Sequence, residues 1–431
     1  MARVLYNTLI YALSPFVWKR VWHEQLPDRS RKERLGWISA HSDQRVLWVH
    51  AASVGEVMTA VPVVRALIED NPDHRIVITT MTATGAQRVA ELFGDTVEHH
   101  FVALDFPRAT RRLVKRLDPE LLVIVETELW PNLIHAVAHH HVPIALINAR
   151  ISERSFHRYL RFHSLVEAML IRINWVAVKS GEDGKRFRAL GMPAKRITVA
   201  GALKYDVVVP SEAVEEGHAL RKVVGARPVW IAASVREGEE AIVLDAHKRI
   251  LQSHPDALLI MVPRHPQRFD NVAVKCEEAV GVLGVSRRSL NEPIPSEVSI
   301  YLADTMGELL TLYNSADIAF VGGSLVSVGG HNLLEPAAMG LPVISGPELS
   351  NIREVADQLE EHHGLQIVSG ADTLSDTITQ LIDDNARRTA MGKAAYEVVE
   401  ANRGAAERIR ERLLLLVHPE KKEHFESEII D

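Results

Sequence analysis

Apolar runs of strand length alternate with stretches of helical spacing along most of the chain. From Arg45 onward each run is continuously apolar, which is typical of parallel strands buried on both faces. Stretches such as Gly55–Glu69 and Ala83–Phe93 separate the runs. The pattern predicts an α/β domain with a doubly wound parallel sheet. Its predicted strands are VLWVH, RIVITT, LLVIVE, PIALIN, WVAVKS and RITVAG.

The alternation stops once and then resumes. Residues 207–225 break it and are predicted to be an interdomain linker, so the first domain covers 23–206. A second doubly wound domain is predicted over 226–431, ending in helices. Ligands of such sheets bind at the carboxyl ends of the strands, which favours a central cleft between the domains as the site. The second set of predicted strands is VWIAAS, ALLIMVP, VSIYLAD, DIAFVGG, LPVISG and GLQIVS.

Residues 1–22 differ from this pattern. Their mainly apolar run, Val4–Trp18, is shorter than the roughly 20 residues of a bilayer-spanning helix. Basic residues such as Lys19 and Arg20 follow it, which favours a cytoplasmic main body. The segment is predicted to be a membrane-associated helix that spans the bilayer or lies in its interface. A helix packed on the protein itself is the alternative.

Composition and net charge limit the number of domains, the partners and the compartment that the protein can have. The 431 residues are 47% hydrophobic and 24% charged, as in ordinary globular proteins, and the length favours two domains. The net charge of -7 argues against a nucleic-acid partner. The single cysteine, Cys276, excludes an intrachain disulfide and indicates a reducing compartment.

The stretch FVGGSLVSVGGHNLLEP predicts a nucleotide site in the second domain. A strand ending at Val321 enters two glycine pairs, and a helix is predicted to begin at His331. Glycines let backbone N–H groups approach a ligand, and a helix N-terminus offers donors to phosphate. Asn332 and Glu335 add side chains, the second of which can accept from ribose hydroxyls. A glycine-rich turn alone is more often only a turn.

Two further stretches end at the same predicted sheet edge. Arg264 and His265 follow the strand ALLIMVP, where an arginine suits phosphate or carboxylate, although a solvated arginine is the alternative. The turn Thr305–Gly307 is predicted to cap a helix starting near Glu308 and could hold a base or sugar edge.

Acidic residues mark the edge of the first domain. Glu56 directly follows Gly55 at the start of a helix, where the helix dipole is expected to keep its carboxylate ionised and where it would repel a phosphate. Glu126 and Glu128 are two apart and would share one face of a strand. They form either an acidic floor to the site or a solvated loop. Lys204 follows the last strand and could bind a leaving phosphate or a carboxylate.

In this order, the motifs HAASVGE, ETELWPN, GALKYD, VPRH and GGHNLLEP resemble those of 3-deoxy-D-manno-octulosonic acid (Kdo) transferases, over nearly the whole chain. The resemblance implies a GT-B glycosyltransferase fold with two Rossmann-like domains, the acceptor bound by the first and the nucleotide sugar by the second. It implies CMP-Kdo as donor, lipid IVA as acceptor and inversion at the transferred sugar. No metal or other cofactor is expected, and contact with membrane lipids would place the enzyme on the cytoplasmic face of the cell inner membrane.

The resemblance also implies residue roles. Glu56 would be the general base, with Glu126 and Lys204 stabilising the transition state, and the choice of Glu126 over Glu128 stays open. Two other functions remain as alternatives: a non-hydrolysing nucleotide-sugar epimerase and a non-catalytic, membrane-associated nucleotide-binding protein. The residues implied to bind CMP are Arg264, His265, Met306, Gly307, Glu308, Asn332, Leu333, Leu334 and Glu335.

Overall fold

The computed structural model describes residues 2–24, 26, 29–39 and 44–421. These residues divide into two compact units. The first contains the described residues up to Asp206 and those from Arg403 onward, and the second is Val207–Asn402. The end of the predicted second domain, 422–431, lies outside the described residues.

The first unit is built on a seven-stranded sheet whose neighbouring strands are all parallel. Its strands are β1 Arg45–His50, β2 His74–Thr80, β3 Glu98–Phe101, β4 Pro119–Val125, β5 Ile144–Ala149, β6 Trp175–Val178 and β7 Ile197–Val199. Their spatial order is β3-β2-β1-β4-β5-β6-β7, so the winding direction reverses between β1 and β4. Apolar side chains of β1 and β4 are buried on both faces of the sheet. The helices of this part are α1 Ala2–Ala12, α2 Ser14–His23, α3 Val54–Asp70, α4 Ala83–Phe93, α5 Pro107–Leu117, α6 Pro131–His139, α7 Glu153–Arg161, α8 His163–Leu170 and α9 Gly181–Ala189.

The second unit repeats this architecture. Its strands are β8 Val229–Val235, β9 Leu258–Pro263, β10 Val285–Arg287, β11 Ile300–Leu302, β12 Ile318–Val321, β13 Val343–Ser345 and β14 Leu365–Ile367. They are parallel, in the order β10-β11-β9-β8-β12-β13-β14, and the winding reverses between β8 and β12. Its helices are α10 Ser211–Val224, α11 Glu240–Ser253, α12 Phe269–Val280, α13 Leu309–Tyr313, α14 Leu334–Ala338, α15 Arg353–Glu361, α16 Ala371–Asp383 and α17 Asn385–Asn402. The last described helix of the chain is α18 Ala405–Val417.

Every apolar run predicted to be a strand contains one. The strands β3 and β10 were not predicted, and both lie at the edge of their sheet. Their sequences, EHHF and VSR, carry polar side chains because an edge strand has fewer neighbours to bury it. Continuous apolarity therefore identified the central strands and the edge strands β7 and β14, and it missed the two polar edge strands.

The predicted linker 207–225 is mostly helix α10, which belongs to the second unit. Leu220 and Val224 join the buried cluster beneath β8. Gly217 allows close packing, because a Cβ there would lie 2.6 Å from the carbonyl oxygen of Thr311. The linker prediction was wrong because charged residues around these apolar positions obscured an amphipathic helix.

Helix α18 belongs to the first unit, although the sequence predicted it in the second domain. Ala405, Ile409 and Leu413 are buried in the core cluster that also contains residues of α3. The carboxylate of Asp206 accepts hydrogen bonds from the backbone N–H groups of Gly404 and Ala406, each 2.6 Å long. This carboxylate thus joins the point where the chain leaves the first unit to the point where it returns.

The predicted N-terminal membrane helix is two helices, α1 and α2, divided at Leu13. Within the described part of the chain, no helix combines the length and apolarity needed to cross a bilayer. One face of α1 docks on the first unit, as the alternative interpretation expected. There the Tyr6 hydroxyl donates to Asp105 (2.9 Å) and the Asn132 amide donates to Asn7 (2.7 Å).

Candidate active site

The two candidate acids of the first unit flank the place where its sheet reverses direction. Glu56 lies in the first turn of α3, which follows β1, and Glu126 follows the neighbouring strand β4. Open α/β sheets bind their ligands at such a switch point. The structure therefore brings these predicted residues to the part of the sheet that is best placed for binding.

Glu56 completes a hydrogen-bonded cap on α3. Its carboxylate accepts from the backbone N–H of Ala52 (2.7 Å) and the hydroxyl of Ser53 (3.0 Å). Ser53 is the N-cap residue, and its hydroxyl accepts from the backbone N–H of Glu56. Ser53 and Glu56 have the serine-to-glutamate spacing of a capping box, which is a local sequence signal for the start of a helix. The glutamate consequently has a structural task whatever its chemistry.

Burial raises the pKa of Glu56 to about 7, and the negative charges of Glu128 and Glu126 add to the rise. The Ala52 and Ser53 hydrogen bonds act in the opposite direction. Helix dipoles favour an anion by only about 0.3–1 kcal/mol, whereas a rise of this size corresponds to roughly 3 kcal/mol. The expectation that the dipole keeps this carboxylate fully ionised is therefore wrong.

Glu126 and Glu128 lie beyond the end of β4, so the prediction that they share a strand face was wrong. Glu126 has a positive φ of 62°, an unfavourable conformation for a residue with a side chain. Its carboxylate lies 3.8 Å from the ammonium group of Lys179, which follows β6. Glu128 accepts from the indole N–H of Trp130 at 2.6 Å. Both acids still act electrostatically on Glu56, and Lys179 is a neighbour that the sequence did not reveal.

Lys204 lies in a short 3₁₀ helix, Leu203–Tyr205, after β7. This turn contacts α3, the helix that carries Glu56. The Lys204 ammonium is 5.2 Å from the centre of the Tyr205 ring. The lysine is thus at the predicted edge of the sheet, on an element that packs against the helix of the candidate base.

Cationic side chains gather at the carboxyl edge of the second sheet. Arg264 and His265 follow β9 as predicted, and Arg236 follows the neighbouring strand β8 and hydrogen-bonds with His265. Burial lowers the pKa of His331 to about 4, and the charges of Arg264 and Arg236 lower it further. Arg236 was not predicted because its proximity depends on the pairing of β8 with β9. We call Arg236 and Arg264 the cationic cluster, and the imidazoles of His265 and His331, whose pKa values are lowered, lie beside it.

The loop that begins at the first glycine pair of the second unit, Gly322–Gly323, donates hydrogen bonds to a carboxylate of the protein itself. Fully buried Glu239 accepts from the backbone N–H groups of Gly323, Ser324 and Leu325 at 2.7–2.9 Å. It also accepts from the N–H of Arg236 at 2.9 Å. The expectation that these loop donors face a ligand was therefore wrong, and Glu239 shapes the loop instead.

The helix predicted to begin at His331 begins three residues later, as the five-residue α14. Asn332, just before the N-cap residue Leu333, accepts from the backbone N–H of Leu334 at 3.0 Å and donates to the carboxylate of Glu335 at 3.0 Å. Burial raises the pKa of Glu335. Leu333 and Leu334 are buried, so within the predicted CMP site they could offer only backbone groups.

The predicted turn Met306–Glu308 precedes α13 as expected. Gly307 has a positive φ of 88°, and Met306 is exposed. The carboxylate of Glu308 pairs with Arg288 at 2.6 Å, and this contact lowers the pKa of Glu308. The side chain of Glu308 is thus engaged within the protein, which leaves the backbone of the turn as its means of contacting a ligand.

We find no group of three histidine, cysteine, aspartate or glutamate side chains that could hold a metal ion among the described residues, which are 2–24, 26, 29–39 and 44–421.

Comparisons with known proteins indicate the fold and the broad class of the protein. Residues 241–398 match the family described as glycosyl transferases group 1. A solved UDP-GlcNAc 2-epimerase from Neisseria meningitidis has the same fold, with a TM-score of 0.55 and 14% identity over 86% of this chain and 99% of that one. The structural match shows a GT-B-like α/β fold, and the family match indicates the glycosyltransferase class for residues 241–398.

The particular family follows from the other matches. Residues 29–207 match the family described as 3-deoxy-D-manno-octulosonic-acid transferase. The Kdo transferase of Haemophilus influenzae is 42% identical over 85% of this chain and 86% of its own length. That of Bordetella pertussis is 35% identical over 96% of this chain and 99% of its own. The chain belongs to the Kdo transferase family, which favours the transferase over the epimerase and the non-catalytic alternative.

Replacing Glu239 tests the internal carboxylate. Glu239→Gln removes one acceptor oxygen and introduces a donor facing buried N–H groups, so the free energy of unfolding should fall by about 3 kcal/mol. The measurement is urea unfolding followed by circular dichroism. Glu237→Gln is the matched control, because Glu237 is 77% exposed and pairs with Arg268 on the surface. It should change stability by less than about 0.5 kcal/mol. An equal loss of unfolding free energy in the two variants would contradict the role of Glu239 in holding this loop.

Proposed function

We propose that the protein is an inverting transferase that moves Kdo from CMP-Kdo to lipid IVA, with Glu56 as general base. The observation that carries this proposal is the pKa of about 7 for Glu56, at the switch point of the first sheet. A general base works best when its pKa lies near the working pH. Family membership supports the transfer of Kdo, and the motif resemblance supports the choice of donor and acceptor.

The first unit would supply the acceptor chemistry. Glu56 takes the proton of the attacking acceptor hydroxyl as the new glycosidic bond forms. Attack from the face opposite the leaving CMP inverts the anomeric centre, and the positive charge that develops on the sugar favours nearby carboxylates such as Glu126. Lys204 would stabilise the negative charge of the departing phosphate.

The second unit would supply the donor site. The cationic cluster offers guanidinium groups to the phosphate of CMP, with Arg236 added to the predicted Arg264 and His265. The turn at Met306–Glu308 would hold the nucleoside through its backbone. Asn332 and Glu335, whose side chains are held together by a 3.0 Å hydrogen bond, would meet the ribose hydroxyls.

The N-terminal helices would place the enzyme on the cytoplasmic face of the inner membrane. Their outward face exposes a row of apolar side chains: Val4 68%, Leu5 71%, Leu9 56%, Leu13 45% and Phe16 73%. Because the other face docks on the first unit, this arrangement suits a helix pair that lies in the membrane interface. An acyl-chain acceptor that stays in the bilayer would then be within reach.

The Glu56→Gln variant should lose about 100- to 10,000-fold in rate, because no positioned base remains. Glutamine also suits this position of a capping box, so the helix start should persist. The assay uses purified protein in detergent with CMP-Kdo and lipid IVA, and mass spectrometry resolves the products. Glu69→Gln, at the other end of α3, should leave the rate unchanged. An unimpaired Glu56→Gln enzyme would exclude Glu56 as base.

The same assay has a pH readout. The protonated carboxyl cannot accept a proton, so kcat/KM should fall about tenfold for each pH unit below the pKa of Glu56, which is about 7. Above that pH the rate should be level. The residual activity of Glu56→Gln should not show this fall of kcat/KM at low pH.

Arg264→Ala should raise the dissociation constant for CMP by about 10- to 100-fold, since a charge-assisted hydrogen bond contributes roughly 1.5–3 kcal/mol. Isothermal titration calorimetry measures this constant without the acceptor. Arg249→Ala is the control, because Arg249 lies on the surface of α11 and pairs with Asp245 of that helix and with Asp372 of α16. An unaltered constant for Arg264→Ala would remove Arg264 from the donor site.

The double variant Leu5→Glu with Phe16→Glu should release the protein from vesicles of anionic phospholipid. Burying each of these side chains is worth about 1.5–3 kcal/mol, so the partition coefficient should fall more than about 100-fold. Vesicle flotation measures the bound fraction. Leu283→Glu changes an equally exposed leucine (88%) of the second unit and should leave binding intact. Release of the protein from vesicles by both the double variant and Leu283→Glu, or by neither, would contradict membrane binding through the N-terminal helices.

A further inference from the structure

Glu128 and Trp130, two residues of the stretch ETELWPN, contact each other near the candidate base. The indole N–H of Trp130 donates to the carboxylate of Glu128 at 2.6 Å. A hydrogen bond to a charged acceptor is shorter and stronger than one between neutral groups. This bond therefore restricts the position of the carboxylate, and that position determines which other groups its charge acts on.

The indole of Trp130 is itself fixed by its surroundings. Trp130 is the N-cap residue of α6, and its backbone carbonyl accepts from the N–H of Ile134 at 3.0 Å. Its ring is nearly perpendicular to the imidazole of His50, with the ring centres 6.2 Å apart. His50 ends β1, the strand that leads to Glu56, and burial lowers the pKa of its imidazole to about 4. A neutral ring thus links the indole to this strand end without adding a charge near Glu56.

Other groups would attract the carboxylate of Glu128 if the indole did not hold it. Glu128 lines a polar cavity of 410 Å³, and three cationic side chains line the same cavity: Arg150, Arg158 and Lys179. A carboxylate without the indole bond would be drawn towards these opposite charges. Glu56 does not line this cavity, so such a movement would take the negative charge of Glu128 away from Glu56.

The charge of Glu128 matters for Glu56 in its present position. Burial is the main cause of the raised pKa of Glu56, and Glu128 contributes more to the rise than Glu126 does. Two lysines also belong to this region: Lys179 pairs with Glu126 at 3.8 Å, and Lys204 lies on a turn that contacts α3. A neighbouring like charge makes a carboxylate a stronger base. The position of Glu128 therefore influences how readily Glu56 takes up a proton.

We propose that Trp130 is a positioning residue that holds the carboxylate of Glu128 beside Glu56 and thereby strengthens Glu56 as a base. The proposal rests on the proposed role of Glu56 as general base. Trp130 acts through the charge of Glu128 and needs no contact with the reacting atoms. The two acids after β4 then have different tasks, since Glu126 is proposed to stabilise the transition state and Glu128 adjusts the base.

The pH dependence of Kdo transfer tests this proposal. Wild type, Trp130→Phe, Glu128→Gln and the double variant are assayed with CMP-Kdo and lipid IVA. Phenylalanine keeps an aromatic ring for packing but offers no donor. In each single variant the fall of kcat/KM at low pH should begin about one pH unit lower, because a like charge has left Glu56. The double variant should match Glu128→Gln, because Trp130 acts only through that carboxylate.

Trp175→Phe is the matched control. Trp175 lies on β6 of the same unit, and its indole N–H donates to the hydroxyl of Thr198 at 2.9 Å. This variant should keep the wild-type pH profile even where it lowers stability. A wild-type profile for Trp130→Phe, or a loss of rate that is equal at every pH, would overturn the proposal. Shifts that add up in the double variant would also overturn it.

A measurement without substrate separates this proposal from the proposed function. The protein contains seven tryptophans, and in protein with 15N-labelled tryptophan the variant Trp130→Phe identifies the indole resonance of Trp130. This resonance should move upfield in Glu128→Gln, which weakens its hydrogen bond. In wild type it should titrate with the pKa of Glu56, about 7, and the midpoint should be about one unit lower in Glu128→Gln.

The two kinds of failure are then distinct. If wild type transfers no Kdo, the proposed function fails, and the indole resonance alone decides about Trp130. A resonance that keeps its position in Glu128→Gln would show that the indole does not hold this carboxylate. An unchanged midpoint in Glu128→Gln would show that the carboxylate does not act on Glu56. Either result would overturn the proposal.

Discussion

Backbone N–H groups that are buried where parallel strands end need hydrogen-bond acceptors, and carboxylates supply many of them in this protein. Asp105 accepts from the first turn of α6 through the N–H of Leu133. Asp206 accepts at the start of α18, and Glu239 accepts from the loop after β12. Each of these bonds fixes a loop at a carboxyl edge. Because both candidate sites are built from such loops, their geometry depends on this constraint.

Glu239 and Glu56 both organise a loop at a strand end, but their neighbours differ. Glu239 accepts four backbone N–H groups, including that of Arg236. Glu56 accepts one backbone N–H and one hydroxyl, and it has Glu126 and Glu128 as neighbours. Fewer donors and additional like charges make the anion of Glu56 less stable. Glu56 thus fixes the start of α3 and, with a pKa of about 7, can also take up a proton.

The sequence was enough to predict those features of the structure that depend on short stretches of the chain. Continuous apolar runs located the central strands of both sheets, and glycine or charged residues after them located Glu56 and Arg264. What could not be predicted depends on which strands become neighbours. The pKa of Glu56 rises partly because β1 pairs with β4, and Arg236 meets His265 because β8 pairs with β9. The return of α18 to the first unit is likewise invisible in any local pattern.

The motifs that resemble the family combine structural and chemical residues. In ETELWPN, Asn132 hydrogen-bonds the backbone carbonyl of Asp105 and the side chain of Asn7 on α1. In GALKYD, Asp206 caps α18, and Lys204, two residues earlier, is proposed to stabilise the departing phosphate. A motif of this kind identifies a protein of this architecture even where its chemical residues have changed. The motifs therefore support the family and the fold more directly than any residue's role, and the roles depend on the charges and hydrogen bonds that surround Glu56.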